Sequence, residues 1–170
     1  MKHTLKRFAL LLACLSVAGG ASATTWNFAS TGSYYVTAGS GYGNRVTFYE
    51  GPDRTEHLRA YAWADTSDGP SGGFETAYVR RFLTGIGVCN RDEGVINDCV
   101  AGGVDHQVDN VSQNDLVLLV LDTVQSFDLL TIDPYGAWDR DISFWIGNVS
   151  PTVSLTGANF ATLGALGFGS

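Results

Sequence analysis

Short apolar and β-branched runs, punctuated by Gly, Asn, Asp and Ser, fill this chain after its first two dozen residues, and helical periodicity is nearly absent. That pattern confines the chain to β architecture. Candidate strands fall at residues 26–28, 34–37, 45–50, 58–64, 74–82, 115–121, 126–132, 141–146 and 152–155. In Arg45-Val46-Thr47-Phe48-Tyr49 and Leu58-Arg59-Ala60-Tyr61-Ala62-Trp63 the alternation predicts one buried and one wet face. Residues 116–121 are apolar throughout, so that strand is expected at the centre of the core, covered on both sides. About nine short strands without crossover helices predict an all-β fold, an antiparallel two-sheet sandwich of the jelly-roll-like kind, with a closed barrel as the alternative. Only residues 159–166 carry enough Ala and Leu for a short helix, weakened by Gly164 and Gly167. The Gly-rich stretches 39–43 and 67–73 read as surface loops rather than linkers, because similar strands continue on both sides.

Residues 1–23 are read separately. Lys2, Lys6 and Arg7 form a positive start, residues 8–18 an apolar core, and Ala21-Ser22-Ala23 a small-residue cleavage site. Together they make a secretory signal peptide, cut between Ala23 and Thr24 by signal peptidase. A core of about eleven residues is too short for a spanning helix, which needs roughly 20. A lipoprotein cut before Cys14 would leave only Phe8, Ala9 and Leu10 as apolar core, below the usual ~7 to 15 residues. Residues 24–170 are then long enough for a single domain with a real hydrophobic core.

The leader takes all of the lysine with it, so the exported chain keeps seven arginines against 17 acidic residues, a net charge of −10. A surface this acidic repels nucleic acid and anionic lipid, and both partner classes are set aside. Cys14 also leaves, and Cys89 with Cys99 remains as an even pair in an oxidising compartment, where a disulfide is the default expectation. Closing the loop over residues 90–98 would contribute about 2 to 3 kcal/mol by restricting the unfolded chain. A redox pair would want two intervening residues, and no further Cys or paired His completes a zinc set.

Two acidic clusters are candidate sites. Asp105, Asp109, Asn110, Asn114 and Asp115 offer hard oxygen ligands of the kind calcium takes, with Asp105, Asp109 and Asp115 as the charged ligands. Their spacing lacks the alternating Asx residues and closing Glu of an EF-hand loop, and Asx residues also build turns by bonding backbone, which is the favoured role here. The second cluster, residues 133–141, sets Trp138 beside Asp139 and Asp141. Paired carboxylates with an exposed ring suit a sugar-binding or glycoside-cleaving cleft, although Arg140 between the two offers an ordinary ion pair. Trp26, Trp63 and Trp145 add rings to that picture, but Trp also buries large areas, and Trp63 and Trp145 sit inside predicted strands.

Nucleophilic catalysis has little to work with. After the leader only His57 and His106 remain, and Asp105 beside His106 is accompanied by no Gly-x-Ser-x-Gly elbow. The expectation is a non-enzymatic protein, with a secreted carbohydrate-binding module as the alternative and a hydrolase using Asp139 or Asp141 behind it.

Several blocks in fixed order carry a resemblance: Gly85-Ile86-Gly87-Val88-Cys89-Asn90, Glu93-Gly94, Cys99, His106-Gln107-Val108-Asp109-Asn110, Asp115-Leu116-Val117-Leu118-Leu119 and Asp139-Arg140-Asp141-Ile142-Ser143-Phe144-Trp145-Ile146-Gly147. Over about residues 26 to 168 the chain resembles bacterial surface proteins of the exosortase-dependent, PEP-CTERM class. The two cysteines followed by His-Gln-Val-Asp-Asn are the most informative part. The resemblance implies a secreted protein of a Gram-negative cell envelope, displayed on the cell surface or released into an extracellular polysaccharide matrix, with no catalytic residues. It implies that His106, Gln107, Asp109 and Asn110 form a structural loop and that Cys89 and Cys99 are bridged. Family members end in a Pro-Glu-Pro motif, a spanning helix and a basic cluster, whereas this sequence stops at Gly167-Phe168-Gly169-Ser170. Exosortase is a partner only if a sorting tail follows Ser170, and the expectation is of a truncated chain or a simple secreted variant.

Overall fold

The computed structural model describes residues 25–29, 33–50, 54–65, 72–92, 108, 113–123, 129, 143–147 and 153–169. The protein is all-β, with antiparallel sheets: β1 (Tyr34–Ala38), β2 (Arg45–Glu50), β3 (Glu56–Asp65), β4 (Phe74–Thr76), β5 (Tyr78–Arg81), β6 (Ile86–Cys89), β7 (Asp115–Leu121), β8 (Ile146–Gly147) and β9 (Phe168–Gly169). A 3-10 helix spans Phe160–Leu166.

Strands β1, β2, β3, β4 and β7 form the main sheet, in which β3 is the spine. β7 runs along one edge of β3, from Leu58↔Leu121 to Ala64↔Asp115, while β2 and β4 lie end to end along the other. The two-residue period then sorts the side chains. Val46, Phe48, Leu58, Ala60, Ala62 and Ala64 face inward and are at most 1% exposed. Three alanines in a row on β3 leave room for a second layer to approach closely. That layer is the β5–β6 ribbon, whose Val79 and Val88 join the same core cluster.

The opposite face of β3 carries Tyr61 and Trp63, covered by the C-terminal segment through Leu155, Phe160 and Leu163. Phe160 meets the Phe74 ring edge-on at 4.8 Å and stacks on Trp145 at 5.5 Å. Asn159 caps the helix, its side chain accepting from Thr162 N while the Thr162 hydroxyl accepts from Asn159 N. Gly167 ends it in the left-handed conformation, φ 94°.

Several expected strands change form. The run 74–82 breaks at Ala77, because the buried Asn44 side chain donates to Val79 O and accepts from Val79 N, both at 2.7 Å. Those bonds turn the chain from the main sheet into the ribbon. Residues 26–28 are not strand and pair with no sheet among the described residues, and Asn27 bonds Ser33 and Ala29 instead. Their apolar side chains still pack, Phe28 lying 4.9 Å from Phe48. Residues 153–155 are likewise not strand. β6 and β9 were not expected; the glycines around Ile86 and Phe168 hid them. β7 has apolar packing on both faces, as expected, but among the described residues it pairs only with β3, so most of it is half-buried. The expected strand at 126–132 lies outside the described residues except Leu129, as do residues 141 and 142 of the expected strand 141–146.

Candidate functional site

Of the residues singled out by sequence, Ala23, Thr24, Cys99, Asp105, His106, Gln107, Asp109, Asn110, Trp138, Asp139 and Asp141 lie outside the described residues. Cys89 and Asp115 lie within them, and the fold brings their surroundings together. Cys89 ends β6 and is fully buried. The next residue, Asn90, donates from Nδ2 to Asp115 Oδ1 at 3.4 Å, at the start of β7. Asn114 is used in a second contact, with Asp65 at the end of β3. Two of the five oxygen-bearing residues proposed for calcium therefore contribute to strand junctions. Among the described residues no group of three or more His, Cys, Asp and Glu could hold a metal ion.

Three of the four tryptophans pack. Trp63 is 5% exposed in the core, Trp145 packs against the same cluster and Trp26 against the other. Trp63 is thereby withdrawn from any sugar-binding platform, whereas Trp26 and Trp145 are only partly buried.

The most chemically active cluster the sequence did not single out lies on the outward face of the main sheet. The registers Tyr34↔Tyr49 and Tyr49↔His57 align three side chains in a row across β1, β2 and β3. The row ends at Asp122, just past β7, whose Oδ2 lies 2.9 Å from His57 Nδ1. Arg59, two residues along the same face of β3, bonds the other oxygen of Asp122. The Tyr49 ring stands edge-on to the imidazole at 4.8 Å, and Tyr34 lies 5.7 Å from Tyr49 with the Arg54 guanidinium 4.3 Å over its ring. The carboxylate orients the imidazole, as in hydrolytic triads, but the imidazole's other described contact is an aromatic ring rather than a hydroxyl or thiol. With His57 and Asp122 each about one-third exposed, the arrangement is a surface ion-pair network. The signal for it in the sequence was weak: His57 and Arg59 alternate with buried Leu58 and Ala60, and Asp122 follows the apolar run.

Comparison with protein-family models, with curated proteins and with solved structures finds no match to this chain.

Proposed function

We propose that this chain is an exported, non-enzymatic surface protein of a Gram-negative envelope or extracellular matrix, of the exosortase-sorted kind, in which a disulfide between Cys89 and Cys99 pins the loop that follows β6. The observation that carries this reading is the leader: a basic start, an apolar core too short to span, and Ala21-Ser22-Ala23 before Thr24. The use of ionisable groups in the sheet agrees with it. Asp65 is spent on Asn114, Asp122 on Arg59 and His57, and Glu75 lies 3.4 Å from Arg91. Of these, the buried Asp65 contact ties β3 to β7, while the other two are surface pairs of small energetic weight. Matrix polysaccharide is the partner class this reading favours, with signal peptidase acting during export and exosortase acting only on a sorting tail beyond Ser170.

Cell fractionation followed by mass spectrometry tests the reading. A product outside the cytosol that begins at Thr24, with Cys89 and Cys99 refractory to alkylation until reduced, supports it. Recovery of the intact chain in the cytosol, with both thiols alkylated directly, overturns it.

A further inference from the structure

We infer that β1 is a self-recognition edge, through which two copies of this chain pair antiparallel about a two-fold axis at Val36 and join their main sheets into one.

Among the described residues β1 pairs only with β2, so one row of its backbone N–H and C=O groups points away from the sheet. All five of its residues are exposed, on both faces: Tyr34 is 51%, Tyr35 39% and Val36 42% accessible. The sequence Tyr-Tyr-Val-Thr-Ala is uncharged, rich in aromatic and β-branched residues, and contains no proline. Edge strands are ordinarily protected by charge, proline or a bulge, and this one has none of them.

The strand's own sequence identifies the occupant. Antiparallel pairing about Val36 sets Tyr34 opposite Ala38 and Tyr35 opposite Thr37, so that large rings meet small or β-branched partners and no like charges oppose. The same patch serves both copies, as a two-fold interface requires. The nearest cations decide the direction. Arg54 lies over Tyr34 and Arg81 over Tyr35, each at 4.3 Å, both at the N-terminal end of β1. Antiparallel pairing moves the partner's Arg54 about four residues along the strand, roughly 14 Å and beyond the ~8 Å screening length at physiological salt, and its Arg81 about two residues, roughly 7 Å. Parallel pairing would stack them side by side. The acidic body of each copy adds long-range repulsion, so added salt tightens the dimer, whereas an anionic polysaccharide held by Arg54 and Arg81 would be released by it. The inference stands independently of export.

Sedimentation equilibrium on the purified protein, with Val36→Lys and Val36→Glu variants, tests it. The wild type gives the mass of two chains, more strongly at higher salt. Each variant alone associates at least tenfold more weakly with its circular dichroism unchanged, because Val36 is exposed and like charges then face each other on the axis. An equimolar mixture of the two variants recovers the two-chain mass. A wild type of single-chain mass throughout, a Val36→Lys protein that associates as the wild type does, or a mixture that stays at single-chain mass each overturns the inference.

Discussion

Asp65 and Asn114, 49 residues apart, clasp each other across the end of β3 and the start of β7. The Asp65 carboxylate accepts from Asn114 N at 2.7 Å and from its Nδ2 at 2.6 Å, while Asp65 N donates to Asn114 O at 3.1 Å. Asp65 is 1% exposed, so these bonds replace the water that the carboxylate gave up on folding. They also fix the register in which the most apolar strand joins the sheet.

Removing the carboxylate strands two donors in the interior. Asp65→Ala is expected to cost about 2 to 3 kcal/mol, and Asp65→Asn less, because the amide oxygen still accepts from the backbone N–H. Urea denaturation reads this as a lower midpoint at constant slope. A double-mutant cycle with Asn114→Ala is expected to give a coupling above about 1 kcal/mol.

The C-terminal segment docks through backbone, and Gly73 is where the approach is closest. Phe74 N donates to Ala158 O at 2.5 Å and Gly157 N to Phe74 O at 2.7 Å. A methyl group at position 73 would stand 2.9 Å from Gly157 Cα and 3.2 Å from its carbonyl carbon, which are backbone atoms that cannot swing aside. Gly73→Ala is expected to cost about 1 to 3 kcal/mol. Loosening of this segment is checked by a red shift in tryptophan emission, since it covers Trp63 and packs Trp145.

On the inward face, Ala62 is 1% exposed beneath the β5–β6 ribbon. Ala62→Leu is expected to force the ribbon outward and destabilise by about 1 to 3 kcal/mol. A melting temperature equal to that of the wild type would refute close packing of these two layers.

The surface network around Asp122 is expected to matter far less. With Asp122 one-third exposed, Asp122→Ala should cost about 1 kcal/mol or less despite losing contacts to both His57 and Arg59. The cost should shrink further in about 1 M salt, where the screening length falls to roughly 3 Å. Denaturation at low and high ionic strength checks both statements.

By itself the sequence determined the class of fold and much of its strand inventory. Alternation over residues 45–50 and 58–64 exposes its two-residue period locally, and the Ala and Leu of residues 159–166 mark the one short helix. Tertiary structure decided where those strands turn and what their polar residues do. Asn44 splits the run by bonding Val79, 35 residues away, and Asp65 and Asp122 find partners that no local pattern announces. The reason is physical: side-chain periodicity is set by the backbone of one segment, whereas the partner of a buried polar group is set by whichever distant segment the sheet brings alongside it.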